Sequence, residues 1–145
     1  MAILTNIVAA DEDDIEALGE SLHPVDAWSG IEMRDIDTAK IATLHCLLTG
    51  DLFDDALAHY EPLYVSAAEG ALVLRLADAA TQRLAELEDE VLADVAAELA
   101  ATEEFEDEAW ETEAIAAMLD DLAGLARLAD AQGQALFVWL HPLRT

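Results

Sequence analysis

The sequence predicts an α/β (mixed α+β) fold: a three-layer sandwich with a small mixed sheet of about four strands and helices on both faces. Three observations predict it. A chain of 145 residues has the length of one ordinary domain, so residues 1–145 are expected to form a single unit. The unbroken apolar run at residues 135–140 is typical of a strand buried on both faces. Several other stretches repeat apolar residues every three or four positions, as amphipathic helices do.

The N-terminal part predicts a strand, a helix and a loop. Residues 3–8 are β-branched and apolar at both ends of a short run, which favours a strand. The acids at residues 11–14 are typical of a helix start, and Pro24 closes that helix. Its apolar face carries Ile15, Leu18 and Leu22. Residues 21–34 have no clean period, so we expect a loop in which Trp28 covers an edge of the core.

A second helix is predicted between Asp37, as its N-cap, and Gly50, which suits a left-handed stop. Its buried face carries Ile41, Leu44, Leu47 and Leu48. A shorter amphipathic helix follows at residues 52–60. This region therefore predicts two consecutive helices.

The next stretch predicts a hairpin and a long helix. Residues 63–66 and 71–76 flank a Glu69-Gly70 turn signal, which indicates paired strands. Residues 78–100 then predict one continuous helix. Its apolar stripe consists of Leu84, Leu87, Val91, Val95 and Leu99.

The last third predicts a helix between an acidic break and the final strand. Seven of the eleven residues at 103–113 are acids. Thr112 is then expected to cap a helix that ends at Gly133. The helix displays Ile115, Leu119, Leu122, Leu125 and Leu128 on one face.

The charge balance limits the classes of partner. With 32 Asp and Glu against 6 Lys and Arg, the formal net charge is -26, while 54% of the residues are hydrophobic. Such a chain folds and has a strongly negative surface. A domain of this mass exposes roughly 7,000 Å², which leaves about one net negative charge per 280 Å². Nucleic acid and anionic membranes are therefore not expected as partners, whereas a basic protein is.

The expected location is a reducing cytoplasm. Cys46 is the only cysteine, which excludes an internal disulfide and a cysteine-based zinc site. The apolar residues 1–10 have no preceding Lys or Arg, so we interpret them as a strand and not as a signal peptide. Charges interrupt every stretch that approaches the ~20 apolar residues needed to cross a bilayer.

One motif resembles a known family. Leu-His-Cys-Leu-Leu-Thr-Gly at residues 44–50 is similar to the Leu-His-Phe-Leu-Leu-Thr-Gly helix end of the YfbM-like family, a bacterial domain of unknown function. The order of Trp110, a long helix, Ala129, Gly133 and a final strand is similar to that family as well. The chain would be a short, divergent member. The resemblance implies a compact mixed sheet between helices, and it brings no activity with it.

A cluster of histidines and aspartates is the main candidate for chemistry. His45, Asp51, Asp55 and His59, with Asp54 beside them, lie within fifteen residues of sequence. Imidazole and carboxylate at this spacing can hold a divalent metal ion, so these four residues are the candidate metal ligands. The alternative is a hydrogen-bonded core histidine followed by aspartates that cap the next helix. No cofactor is predicted.

The acidic segment at residues 103–113 is the candidate partner-binding site. It places Phe105 and Trp110 among acids, a combination that can attract a basic partner and anchor it with an aromatic side chain. The candidate contact residues are Glu103, Glu104, Phe105, Glu106 and Trp110. The alternatives are a solvated loop with both aromatics turned inward, and an acid excess that reflects adaptation to high salt.

Three functions remain open. The first is a non-catalytic interaction protein of the inhibitor or immunity type, since no Gly-x-Ser-x-Gly, phosphate-binding or dinucleotide-binding motif is present. The second is a small metal-dependent hydrolase that uses the His/Asp cluster. The third is a structural subunit that self-associates, for example as a homodimer, through Trp28 or Trp110. The sequence leans against an enzyme, and it names neither the partner nor the oligomeric state.

Overall fold

The structure, a computed structural model, describes residues 3–21, 23–34, 36–67, 70–106 and 110–141. Leu22 and Glu69, which were expected on a helix face and in a turn, lie outside these ranges. The strands are β1 (Leu4–Ala10), β2 (Gly30–Arg34), β3 (Tyr64–Val65), β4 (Leu72–Arg75) and β5 (Ala135–His141). The helices are α1 (Ile15–Glu20), α2 (Pro24–Ala27), α3 (Thr38–Thr49), α4 (Phe53–Ala58), α5 (Asp78–Ala85), α6 (Asp89–Ala100), α7 (Glu103–Glu106) and α8 (Thr112–Gln132).

The five strands form one sheet in the order β2-β1-β5-β4-β3, and every pairing is antiparallel. The predicted class, a mixed α+β fold with helices on both faces of a small sheet, is confirmed. The sheet differs in detail, since it has a fifth strand and no parallel pair. Among the described residues, no helix combines the length and the apolar character that a bilayer crossing requires.

Alternate side chains of the strands enter two separate cores. On one face, Ile7, Leu74 and Val138 join a large core with residues of α3, α5, α6 and α8. On the other face, Phe137 and Trp139 join a smaller core beneath α1 and α2. Both central strands are therefore buried on both faces, which confirms the prediction for residues 135–140 and the strand predicted at residues 3–8. Trp28 packs at the margin of the smaller core, which confirms its expected position.

Three of the predicted helix ends are confirmed. The Asp37 carboxylate accepts a hydrogen bond from the Lys40 N–H (2.9 Å) and so caps α3. Gly50 (φ 84°) and Gly133 (φ 67°) end α3 and α8 in the left-handed conformation. At the start of α8 the N-cap is Glu111, and Thr112 is the first helical residue, so the predicted cap is displaced by one position.

The predicted loop at residues 21–34 is wrong, because it contains α2 and β2. β2 is short, begins with a glycine and lies at the edge of the sheet, where β1 is its neighbour on one side. A five-residue alternation is too weak to distinguish from a loop. The strand forms because β1 provides a partner along its whole length, from Arg34 opposite Leu4 to Gly30 opposite Val8.

The single helix predicted for residues 78–100 is also wrong, since the chain breaks between α5 and α6. The Arg127 guanidinium of α8 donates hydrogen bonds to the carbonyl oxygens of Ala85 (3.0 Å) and Leu87 (2.8 Å). These bonds satisfy backbone carbonyls that a continuous helix would have paired. The break is therefore supported by a side chain at least 40 residues away in sequence, which the local apolar period does not reveal.

Two helical glycines predict opposite effects of the same substitution. A Cβ on Gly19 of α1 would lie 2.1 Å from Cδ1 of Tyr64, whose hydroxyl donates a hydrogen bond to Glu20 (2.5 Å) and so holds the ring in place. A Cβ on Gly124 of α8 would meet no atom within 4 Å. We expect Gly19→Ala to lower the free energy of unfolding by about 1–3 kcal/mol through overpacking. Gly124→Ala should raise the free energy of unfolding by about 0.5–1 kcal/mol, because alanine allows the unfolded chain fewer conformations than glycine does.

Urea denaturation of both variants and the parent protein measures these changes. A Gly19→Ala protein as stable as the parent, or a destabilised Gly124→Ala protein, would contradict this description of the packing.

Candidate functional site

The turn between α3 and α4 brings three chemically active side chains together. His45 lies on α3, Asp51 follows the helix stop at Gly50, and His59 lies at the end of α4. One ligand atom from each of these three residues lies within 4.8 Å of the other two. The chain reverses direction at Gly50, so that α4 packs against α3. His59 therefore lies beside His45, which is fourteen residues earlier in the sequence. We call this set the His45 cluster.

His45 is buried, with 1% of its surface exposed, and both ring nitrogens have partners. Its Nε2 lies 2.7 Å from Oδ2 of Asp51, and its Nδ1 lies 2.8 Å from the Tyr60 hydroxyl. An ionised carboxylate only accepts hydrogen bonds, so in the neutral ring Nε2–H donates to Asp51 and Nδ1 accepts from Tyr60. His45 is therefore a hydrogen-bonded core histidine, whereas the N-cap of α4 is Leu52 and no aspartate caps that helix as the same alternative expected.

Tyr60 anchors the buried end of this chain of hydrogen bonds. Its hydroxyl oxygen accepts a hydrogen bond from the Ala77 N–H (3.4 Å) while its proton is directed at His45. Burial raises the pKa of Tyr60 from 10.0 to about 12. The phenol is therefore a neutral, fixed partner of the imidazole over the whole neutral pH range.

Asp51 forms the exposed end of the cluster, with 44% of its side chain exposed. The hydrogen bond from His45 lowers the pKa of Asp51 below its ordinary value of 3.8, and Thr49 acts in the same direction. Thr49 is itself held, because its hydroxyl donates to the His45 carbonyl oxygen (2.9 Å). Asp51 is thus a carboxylate at neutral pH, and one of its oxygens is directed at a buried imidazole.

His59 completes the cluster from the solvent side. Its ring stacks on that of His45, with centroids 5.2 Å apart and planes inclined by 28°. Asp55 and Asp54 are exposed in the first turn of α4, where they complement the helix dipole. Asp55 does not belong to the group of ligand atoms within 4.8 Å. Three of the four predicted metal ligands therefore lie together, and the fourth does not.

The acidic segment has a buried and an exposed part. Phe105 is 1% exposed and packs edge to face with Trp110, at 5.6 Å and 75° between the rings. The buried Lys40 ammonium lies 5.9 Å from the centroid of Phe105. Phe105 thus supports Trp110 from below and does not offer a contact surface. Glu103 and Glu106 are exposed, whereas residues 107–109 and the side chain of Glu104 lie outside the described part of the chain.

Trp110 lines a groove of about 380 Å³ between β2 and the first half of α8. The apolar lining includes Ile31, Met33 and Met118, and the exposed charged lining consists of Glu32, Arg34 and Asp121. We call this the Trp110 groove. Sequence reasoning identified Trp110 and missed the β2 side, because it took residues 21–34 for a loop.

A larger cavity of about 520 Å³ lies between α5 and α8 and was not predicted either. Arg127 lines it beside the acids Asp78, Glu86 and Asp130. The Arg127 guanidinium that lines this cavity is the one that donates hydrogen bonds to two backbone carbonyls, so the cavity adjoins the α5–α6 break.

The comparisons with known proteins add one structural similarity. No protein-family model matches the sequence, and no curated protein matches it either. Among solved structures, the chain is similar to the crystal structure of YfbM from Escherichia coli, a protein of unknown function. The sequence identity is 16% and the TM-score 0.48, over 94% of this chain and 99% of that one. YfbM bears the name of the family that the motif at residues 44–50 resembles, and the description of its crystal structure gives no activity and no ligand.

The His45 cluster predicts a dependence of stability on alkaline pH. Because the folded state raises the pKa of Tyr60, the stabilisation is present below pH 10.0 and is lost as the pH rises towards about 12. Tyr60→Phe should reduce that dependence without abolishing it, because the pKa of Tyr64 is raised to about 12 as well. At neutral pH it should also cost about 1–3 kcal/mol, since the Nδ1 atom of His45 and the Ala77 N–H lose their partner.

Urea denaturation from neutral to alkaline pH, with a chelator present, measures both effects. Tyr64→Phe is the comparison variant: it should also reduce the alkaline dependence, because the hydrogen bond to Glu20 raises the pKa of Tyr64 to about 12, but it leaves the hydrogen bonds of His45 intact. A Tyr60→Phe protein that is as stable as the parent at neutral pH would contradict the hydrogen-bond chain.

Proposed function

We propose that the protein is a non-catalytic interaction module of the inhibitor or immunity type, which binds a basic segment of another protein. The observation that carries this proposal is the Trp110 groove, where an aromatic side chain lies between apolar residues and exposed acids at the edge of the sheet. Buried aromatic anchors surrounded by polar groups supply most of the affinity in protein interfaces.

The edge position of β2 supports an extended partner. β2 is the first strand in the sheet order, and among the described residues no strand pairs with its outer side. Such an edge can accept a further strand through its backbone groups, while the groove takes alternate side chains. An extended segment along β2 would lie directly beside Trp110 and Met33, which both line the groove.

The charge of the chain supports a basic partner. The net charge is -26, and two of the three charged residues that line the groove, Glu32 and Asp121, are acids. A negative surface speeds the approach of a cationic segment and repels nucleic acid. It also repels a second copy of the chain, so a different protein is favoured over a homodimer.

A charge reversal on α8 tests the groove with a matched control. Asp121 lines the groove, whereas the neighbouring Asp120 is exposed and does not. Peptides selected from a random display library against the protein should be rich in Lys or Arg with an apolar side chain. Asp121→Lys should weaken the binding of the selected peptide about fivefold, or roughly 1 kcal/mol. Asp120→Lys alters the net charge equally and should have a much smaller effect.

Affinities from isothermal titration calorimetry measure this difference, with Trp110→Ala as a further variant that should cost about 2 kcal/mol or more. Binding should weaken between about 0.1 M and 1 M salt, as the Debye length falls from about 10 Å to about 3 Å. Selected peptides that are neutral or acidic, or equal effects of Asp121→Lys and Asp120→Lys, would overturn the proposal.

A further inference from the structure

We propose that His45, Asp51 and His59 bind one divalent transition-metal ion. The three side chains come from different points of the α3–α4 turn, and one ligand atom from each lies within 4.8 Å of the others. The proposal is independent of the Trp110 groove, because none of these residues lines that groove.

His45 is already oriented as a ligand. Its Nδ1 is held at 2.8 Å by Tyr60, which the Ala77 N–H holds in turn, and its Nε2 is directed at Asp51. Metal-binding histidines commonly donate the N–H of their second ring nitrogen to a fixed partner, and Tyr60 can accept that hydrogen bond once the tautomer changes. The buried environment keeps the ring from rotating away from the site.

Coordination needs one change of tautomer at His45. In the chain described above the proton lies on Nε2, between the ring and Asp51. When Nε2 binds the ion, the proton of the neutral ring lies on Nδ1 and is donated to the Tyr60 oxygen, and the Tyr60 O–H rotates away from Nδ1, to which it donated before. The metal ion then takes the place of this proton between the ring and the carboxylate, and His45 keeps one proton throughout.

The two exposed ligands can adjust to the ion. Ligand atoms at about 2.1 Å from a tetrahedral metal are about 3.4 Å apart. The Nε2 to Oδ2 separation is 2.7 Å, so the Asp51 carboxylate must withdraw slightly and His59 must approach. Asp51 is 44% exposed and His59 is exposed too, so both side chains have room to move.

The ligand set selects the class of metal. Two imidazoles and one carboxylate favour Zn²⁺, Co²⁺, Ni²⁺ or Cu²⁺ over Mg²⁺ and Ca²⁺, which prefer oxygen ligands alone. Solvent faces the site from the side of Asp51 and His59, so water can complete the coordination. The net charge of -26 raises the local concentration of any cation, which makes a control for unspecific binding necessary.

Titration of the full chain with Zn²⁺, in a large excess of Mg²⁺ that occupies scattered carboxylates, tests the proposal by calorimetry. The parent protein should bind one Zn²⁺ per chain. His59→Ala and Asp51→Ala should each weaken binding by about 100-fold or more. The matched controls His23→Ala and Asp55→Ala remove an exposed histidine and an exposed aspartate outside the cluster, and should leave the affinity unchanged.

Titration with Co²⁺ supplies a second measurement, because its visible absorption reports nitrogen ligands and coordination geometry. We expect a spectrum that is saturated at one equivalent and is lost in His59→Ala. Circular dichroism verifies that each variant is folded. The absence of a one-to-one site in folded parent protein, or equal losses in His59→Ala and His23→Ala, would overturn the proposal. An equal loss in Asp55→Ala and Asp51→Ala would overturn the assigned ligand set.

Discussion

The antiparallel pairing of β1 with β5 is the constraint on which the rest of the structure depends. Seven residue pairs join the two strands, from Leu4 opposite His141 to Ala10 opposite Ala135, and every residue of both strands is buried. Because alternate side chains point to opposite faces, this one pair supplies the centre of both cores. Each large apolar side chain buried there contributes about 1.5–3 kcal/mol. β2 and β4 then extend the sheet from an established centre.

Polar contacts attach the connecting segments to this pair. The Thr5 hydroxyl donates to the Ile36 carbonyl oxygen (2.7 Å), and the Val25 N–H donates to Oδ1 of Asn6 (3.3 Å). The bond from Thr5 attaches the residues that follow β2, and the bond to Asn6 attaches α2. The two ends of the segment that contains α2 and β2 are therefore fixed on opposite faces of β1. The position of the Trp110 groove follows from them, since β2 forms one of its walls. The position of the groove proposed as a binding surface thus depends on two buried polar side chains of the central strand.

The acidic shell and the candidate sites share the same physical origin. An apolar interior with two cores leaves almost all of the charge outside, where it repels itself and is available to cations and basic groups. Lys40 is a charged residue that does not lie in this shell, because it is only 2% exposed and packs beside the ring of Phe105. Through Phe105 it supports Trp110. The surfaces proposed for a basic partner and for a metal ion are therefore places where the negative shell meets ordered aromatic or imidazole rings.

Sequence alone determined the elements that local rules control. Periodicity located α3 and α8, and an unbroken apolar run located the buried strand β5. The stops at Gly50 and Gly133 were visible because only glycine adopts the left-handed conformation at little cost. The sequence also identified His45, Asp51 and His59 as members of one candidate metal site. Only the tertiary structure decided what depends on distant partners. It pairs the strand β2 with β1, and it breaks the chain between α5 and α6 where Arg127 binds. It also places Tyr60 against Nδ1 of His45 and leaves Asp55 outside the cluster. Those contacts join residues remote in sequence, and no local pattern encodes a partner that the chain meets only after folding.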